Sequence, residues 1–169
     1  MKYIKFFLIP IFFFIFINNA KSDSSIYFFD LEYIFNNSNY GKLIINDLEN
    51  INININQSLE SDKKKIKSLE DEIIKTKNLL SDEDLNKKML VLKTEIETYN
   101  LKKNKVLGDF DINKKNKIKE FSNKINPIIE KFVTSNNITI LLNRKDIFMG
   151  KNDYDITLSI LEIINKELK

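Results

Sequence analysis

The sequence predicts a mainly α-helical fold with a small β core (α+β class), in which a long antiparallel helical hairpin is inserted between strands from the two chain ends. Three observations predict this fold. Residues 42–125 contain one glycine, Gly108, and no proline. Apolar residues in this stretch recur at spacings of three and four, as on one face of a helix. The clearest short apolar runs, which are typical of strands, lie near the chain ends.

The first residues differ in composition from the rest of the chain. Two lysines precede an uninterrupted apolar run at 6–17, and the small residues Ala20 and Ser22 follow it. This order of charged, apolar and small residues is typical of a secretory signal peptide. The run is shorter than the roughly 20 residues that span a bilayer. We therefore expect residues 1–22 to be a cleaved export signal, cut after Ala20 or Ser22; an uncleaved anchor is the alternative.

Composition argues against several classes of function. The chain has no cysteine and no histidine, so thiol nucleophiles, disulfides, imidazole metal ligands and histidine acid–base catalysis are absent. Removal of the signal leaves the chain close to neutral, which argues against nucleic-acid binding. There is no glycine-rich phosphate loop, and the adjacent carboxylates at 70–72 spread around a helix. We therefore predict no catalytic, cofactor-binding or metal-binding residue, and no enzyme.

The mature chain is predicted to begin with a strand and a short helix. Residues 26–29, with the sequence IYFF, are aromatic and β-branched, which favours a strand. Asp30 can cap a helix at 31–35, because its carboxylate can accept hydrogen bonds from free first-turn N–H groups. The segment NNSNYG at 36–41 is rich in turn-forming residues.

The segment at 49–60 can be interpreted as a strand or as a helix. Ile51, Ile53 and Ile55 alternate with asparagines, which is the pattern of a half-buried strand. However, two of these isoleucines belong to a longer series at helical spacing: Leu48, Ile51, Ile55, Leu59, Asp62, Ile66, Leu69, Ile73, Thr76 and Leu80. Such spacings of three and four indicate the seam of a coiled coil. We therefore predict a helix here.

A second helix is predicted after a short interruption, with Ser81 or Asp82 as its N-cap. Its series has similar spacings: Leu85, Met89, Leu92, Ile96, Tyr99, Lys103, Val106, Phe110, Lys114, Ile118, Phe121 and Ile125. A chain reversal near 82–83 places the irregular part of each series at the same level, as two packed helices require. Residues 42–125 are therefore predicted to form a helical-hairpin arm with its tip near 81–84.

Two kinds of side chain on this arm are candidates for contact with a client protein. Four branched apolar residues lie off the predicted seams. In the folded-back hairpin they lie in pairs at the same height along the arm, Ile53 with Ile112 and Ile74 with Val91. Residues 100–124 carry a net charge of +5 and could attract a client electrostatically. The candidate lysines are Lys102, Lys103, Lys114 and Lys115. An isoleucine-rich composition and an ordinary solvated lysine face explain these features equally well.

The C-terminal region begins with the end of the second helix. Pro127 is expected to kink or restart this helix, because proline has no N–H. The asparagines at 136–137 are expected to end it. Residues 138–143 are the clearest strand in the sequence, and residues 147–150 are predicted to return beside them, which gives a sheet of three strands.

The two chain ends are predicted to form one β-containing oligomerisation core, made of residues 23–41 and 126–169. A final helix at 153–168 presents an apolar face of Ile156, Ile160, Ile163 and Ile164. Three short strands are a thin core for so long an arm, which favours an oligomer with a shared core. By alternation, the oligomer-core candidates are Ile26, Phe28, Ile140 and Leu142. The opposite face, with Tyr27, Phe29 and Leu141, is the alternative.

Two segments of the sequence resemble the Skp/OmpH family of periplasmic chaperones. Residues 26–49 are similar to the opening of the family, with a strand that ends in Asp30, a short helix, and then Ser38, Gly41, Lys42, Leu48 and Glu49. Residues 138–168 are similar to its ending, where a strand pair leads to an Asp-Ile-Thr motif that opens the last helix, here Asp155, Ile156 and Thr157. The resemblance covers nearly all of the mature chain.

This resemblance implies a homotrimer with a β-rich core and three helical arms. In the family, the arms enclose a cavity that holds unfolded outer-membrane proteins, without ATP, between export and insertion. The implied function is an ATP-independent periplasmic holding chaperone whose partners are unfolded outer-membrane proteins and other copies of itself. A structural coiled-coil envelope protein, held in the inner membrane by an uncleaved N-terminal segment, is the alternative.

The predicted arm tip departs from the family. Family members are often strongly basic, with positive tips that suit acidic clients or lipid surfaces. Here the tip begins with Asp82, Glu83 and Asp84. The sequence therefore leaves contact between the arm and a membrane surface open.

Overall fold

A computed structural model describes residues 25–168; the predicted signal peptide, residues 1–22, lies outside this range. Two short strands and four helices follow one another along the chain. In order they are β1 (Ile26–Phe29), α1 (Leu31–Asn37), α2 (Asn39–Thr76), α3 (Asp82–Ser135), β2 (Ile140–Asn143) and α4 (Thr157–Glu167). Short 3₁₀ turns at Arg144–Asp146 and Asn152–Tyr154 connect β2 to α4. The predicted fold class is confirmed: a long helical hairpin, α2 and α3, lies between terminal strands.

The sheet has two parallel strands, with Ile26 opposite Ile140 and Phe29 opposite Asn143. The prediction of a third strand at 147–150 is wrong. After the turn at Arg144–Asp146 the chain runs without regular structure. At its other edge, β1 pairs instead with the residues just before α4. There Asp155 forms a parallel bridge with Phe28, and the Ile156 N–H donates a hydrogen bond of 2.9 Å to the Phe28 carbonyl oxygen.

Three polar side chains begin the helices of the hairpin region. Asp30 Oδ1 accepts a hydrogen bond of 2.8 Å from the Tyr33 N–H, which confirms the predicted cap of α1. Ser81, one of the two predicted residues, caps α3. The predicted turn at 36–41 is reduced to Ser38, whose buried hydroxyl accepts from the Gly41 N–H. A Cβ on Gly41 would lie 1.8 Å from the Phe35 carbonyl oxygen, so α1 and α2 meet backbone to backbone.

The hairpin helices differ from the prediction at their ends, since α2 spans Asn39–Thr76 and stops before Leu80, and α3 spans Asp82–Ser135. The segment at 49–60 lies within α2, so the helical interpretation is confirmed. Helix α3 continues through Pro127 as one helix, so of the two expected outcomes, a kink or a restart, the restart is wrong. Ile125 and Ile128 are both buried, and packing on either side of the proline offsets the hydrogen bond that it cannot donate. The helix ends as predicted at 136–137, where Asn137 has a φ of 51°.

The apolar core lies at one end of the molecule, called the base from here on, where α1, α4 and the sheet-proximal ends of α2 and α3 meet. Eight buried residues form one cluster: Ile34, Ile44, Leu48, Phe121, Ile125, Ile128, Ile160 and Ile164. Ile160 and Ile164 come from the predicted apolar face of the last helix, which begins at Thr157. Within residues 25–168, no helix combines the length and the apolar character needed to cross a membrane.

Candidate functional site

The shaft of the hairpin, residues 49–118, buries few apolar side chains. The predicted α2 series does face α3, since its members are less exposed than the residues between them. Within the shaft, however, Leu59 and Ile73 alone are more than nine-tenths buried. Packing between the two helices is therefore thin, and polar contacts gain importance in holding them side by side.

One side of the shaft, here called the ion-paired flank, is closed by contacts between α2 and α3. Lys65 Nζ lies 2.8 Å from Glu95 Oε1. Lys102 Nζ lies 2.7 Å from Asp62 Oδ2 and donates a second bond of 2.8 Å to Ser58 Oγ. Two further pairs join the helices, Lys88 with Glu72 and Lys117 with Asp47.

These pairs occupy one side of α3. Their α3 members, at 88, 95, 102 and 117, are seven or fifteen residues apart, which is close to two or four turns of about 3.6 residues. A hydrogen bond and the negative charge of Asp47 raise the pKa of Lys117. Nearer the base, the Tyr40 hydroxyl donates a hydrogen bond of 2.8 Å to Glu120 Oε1, and this bond lowers the pKa of that carboxyl.

The ion pairs explain a correction to the predicted α3 seam. Met89, Lys103, Lys114 and Ile118 were predicted to face α2, but all four are exposed. The preceding residues at 88, 102, 113 and 117 are less exposed. Three of these are lysines that reach α2 carboxylates, and this arrangement turns the predicted residues sideways, out of the helix interface.

Those displaced residues lie on the opposite side of the shaft, here called the open flank. Four apolar residues share this side of α3: Met89, Ile96, Leu107 and Ile118. The intervals between them are seven, eleven and eleven residues, which are close to two or three turns of about 3.6 residues. Met89 is 50% exposed, and Leu107 and Ile118 are each 41% exposed. Lys103 and Lys114 follow Ile96 and Leu107 by seven residues and lie on the same side.

Three shallow depressions open along this flank, with volumes of about 640, 700 and 520 Å³ from tip to base. The first also contains Lys93, and the second lies between the helices and contains Lys103. The α3 residues that line them include Met89, Ile96, Tyr99, Leu107, Ile118 and Phe121. The open flank is thus a discontinuous groove in which apolar side chains alternate with polar ones, and in its first two depressions lysines outnumber the two glutamates, Glu60 and Glu97.

The structure does not bring the four predicted apolar contacts onto one surface, although all four are exposed. Val91 lines a hollow with Lys88 on the ion-paired flank. Ile53 lies two residues from Ile51 and Ile55, which face α3, so it points away from the hairpin interface; Ile112 does so by the same argument from Phe110. Ile74 follows buried Ile73 near the tip end of α2.

The four predicted lysines also differ in their surroundings. Lys102 is engaged by Asp62 and Ser58 within the hairpin. Lys103 and Lys114 lie on the open flank, and Lys115 lies beside them on the exposed surface of α3. Among residues 25–168, these last three lysines form no ion pair.

At the base, the sheet presents one face to the core and one face outward. Phe29 and Leu141, from the alternative set, pack against the core cluster, and the Tyr27 ring lies 6.0 Å from that of Tyr154. Of the oligomer-core candidates, Ile26, Ile140 and Leu142 are exposed. The fourth, Phe28, is buried, and a Cβ on Gly150 would lie 2.8 Å from its ring.

Sequence reasoning missed several exposed apolar residues. Leu107 is neither a predicted client contact nor a predicted oligomer-core residue. The same holds for Phe148 and Met149, which are almost wholly exposed. A signal for the last two was available, since two large apolar residues stand directly before Gly150 in a short connection. The assumption that 147–150 form a strand obscured it.

Comparison with known proteins agrees with this fold. Residues 25–164 match the family described as "Outer membrane protein (OmpH-like)". The chain also resembles the crystal structure of a candidate outer membrane chaperone (OmpH-like) from Caulobacter crescentus CB15, with a TM-score of 0.79, 14% sequence identity and coverage of 86% of each chain. No curated protein matches the sequence.

A small terminal sheet, a packed base and a long hairpin define a protein in which a helical arm projects from a compact base. Because the family match spans most of the chain, the protein belongs to the OmpH-like family.

Proposed function

We propose that this protein is an ATP-independent periplasmic holding chaperone that binds unfolded outer-membrane proteins between helical arms and prevents their aggregation. Membership in the OmpH-like family supports a chaperone role. The observation that carries the proposal is the shaft itself, which has more apolar side chains on α3 than α2 covers. A structural coiled-coil protein has no need of such a partly covered surface.

The mechanism we propose is shielding. Unfolded β-barrel chains aggregate through apolar segments with high β propensity. A long arm with half-exposed apolar side chains can cover such segments through many weak contacts, which need no nucleotide to form or release. Proposed contacts are the exposed residues Ile53, Ile74, Val91, Ile112, Lys103, Lys114 and Lys115, whereas Lys102 serves the hairpin. Charging the four apolar residues together should weaken client capture, and unchanged capture would contradict their assignment.

A cavity requires several arms, so the proposal includes a homotrimer joined at the base. The outward face of the sheet, with Ile26, Ile140 and Leu142, supports an interface there, as do the adjacent exposed Phe148 and Met149. Apolar residues grouped in this way on a monomer surface are typical of an interaction site. Export by cleavage of residues 1–22 is part of the same proposal.

The first experiment is light-scattering mass after size exclusion of the mature protein. The protein is measured alone and mixed with a urea-unfolded outer-membrane β-barrel protein that is diluted from denaturant. We expect a three-subunit mass that takes up one client. A stable protein that leaves the client to aggregate would support the structural coiled-coil alternative.

A further inference from the structure

We propose that the open flank of the shaft is the principal client-binding surface, and that it fits extended segments in which acidic residues are interspersed with apolar ones. This inference rests on the proposed chaperone function and identifies the face and the charge preference. It goes beyond the contacts predicted from the sequence, of which Ile53 and Ile112 point away from the hairpin interface and Val91 lines a hollow on the ion-paired flank.

The two flanks of the shaft are asymmetric. On the ion-paired flank, lysines and carboxylates from α2 and α3 satisfy each other. On the open flank, Met89, Leu107 and Ile118 remain about half exposed beside depressions. A segment that lies in a groove is contacted by apolar side chains on both of its sides. On an outward helix face, an isolated exposed side chain contacts such a segment on one side alone.

The groove of the open flank is long and shallow. From Met89 to Ile118 it extends roughly 44 Å along α3, given a rise of about 1.5 Å per residue. An extended chain rises about 3.3 Å per residue, so about 13 residues would cover this length. A long, shallow and interrupted groove suits an extended segment held at several points, and it does not enclose a small molecule.

The open flank carries an excess of positive charge. The first two depressions are lined by four lysines, Lys63, Lys64, Lys93 and Lys103, against two glutamates, Glu60 and Glu97. Lys114 lies further along the same side, and among the described residues these five lysines form no ion pair. Acidic side chains in the bound segment would complement them. A second copy of this chain is a poorer occupant, because symmetric docking of two open flanks would set these lysines against their equivalents.

The decisive experiment compares two matched pairs of substitutions in the full mature protein. Met89→Gln with Leu107→Gln alters the open flank, and Leu43→Gln with Leu101→Gln alters exposed positions of α2 and α3 that line none of the three depressions. All four side chains are exposed apolar residues, the control pair being the more exposed at 59% and 73%, and glutamine is a good helix former. The probe is a urea-unfolded outer-membrane β-barrel protein, whose tryptophan emission can be read directly because the chaperone has no tryptophan.

We expect the open-flank pair to weaken client binding at least tenfold and the control pair to change it less than twofold. Equal effects would overturn the inference and leave the chaperone proposal intact. Failure of the unaltered protein to bind the client would overturn the chaperone proposal itself. A lower subunit number for the open-flank pair by light scattering would identify a second copy as the occupant and would also overturn the inference.

A second experiment tests the charge preference. Two fluorescent 13-residue peptides alternate apolar residues with either glutamates or lysines, and fluorescence anisotropy reports their binding. We expect the acidic peptide to bind at least tenfold more tightly, and Lys103→Gln with Lys114→Gln to remove most of that difference. Lys105→Gln with Lys119→Gln is the control and should preserve it. Equal binding of both peptides would contradict the acidic preference.

Discussion

The base and the shaft use the same helices in different ways. In the base, α2 and α3 contribute to one cluster of eight buried residues together with α1 and α4. In the shaft they bury two apolar residues, and four ion pairs that join the helices lie along one flank. The base is therefore specified by close packing, and the shaft by helix periodicity and charge. A shaft held in this way can leave apolar side chains available to a partner.

The largest expected effect is a loss of stability when a glycine of the base, Gly41, is substituted. Gly41→Ala should destabilise the protein by at least about 3 kcal/mol, the upper end of what overpacking costs, because its Cβ would meet the Phe35 carbonyl oxygen. Urea unfolding followed by circular dichroism measures the change. If the variant unfolds like the unaltered protein, the backbone contact between α1 and α2 is wrong.

A second comparison truncates isoleucines in each region. Ile34→Ala in the base should cost about 2–5 kcal/mol, because Ile34 is fully buried and its removal leaves a cavity. Ile55→Ala in the shaft should cost clearly less, since Ile55 is only partly buried. The same unfolding measurement applies to both variants. Similar losses would show that the shaft is as tightly packed as the base.

The third effect is a gain in stability. Gly108 lies within α3, and apart from its chain neighbours and the surrounding backbone of its own helix no atom lies within 4 Å of the position that a Cβ would take. Gly108→Ala should therefore raise the free energy of unfolding by about 0.5–1 kcal/mol, since glycine inside a helix is costly relative to alanine. A decrease would show that Gly108 serves a bend or a contact that alanine blocks.

The smallest expected effect concerns the Tyr40–Glu120 hydrogen bond, where the ion-paired flank reaches the base. Because the folded-state pKa of Glu120 is lowered, its contribution to stability is present above the pKa of the unfolded chain and is lost as pH falls through the folded-state value. Tyr40→Phe should raise the pKa of Glu120 and reduce this acid dependence. An NMR titration of the Glu120 side chain measures the shift, and an unchanged pKa would contradict the assignment of its cause.

Periodicity in the sequence was sufficient to predict the hairpin. The α2 series at Ile51 and Ile55 correctly overrode the alternating isoleucines, because a helical pattern that continues in both directions outweighs a short run. Local capping chemistry was also readable, as Asp30 and Ser81 show. Strand pairing was less accessible, because the parallel partner of Ile26 lies far away at Ile140.

The division of the shaft into two flanks could not be predicted from periodicity. A seam series at spacings of three and four fixes which face of α3 is inward only to within about one residue, or 100° of rotation. The ion pairs of Lys88 and Lys102 with α2 decide the rotation, and they depend on which carboxylates α2 presents at each level. The candidate contacts shifted for the same reason, since Leu107 reaches the open flank and Val91 does not.

The parallel pairing of β1 with β2 has a consequence for the order of folding. The Thr139 N–H bonds to Ser25 Oγ across 114 residues of chain, so the base cannot close until nearly the whole polypeptide is available. Contacts near the turn of the hairpin are local and can form early, and each step toward the base then shortens the loop that remains to be closed. A chain that emerges N-terminus first would carry β1 unpaired, with a free edge, until β2 arrives.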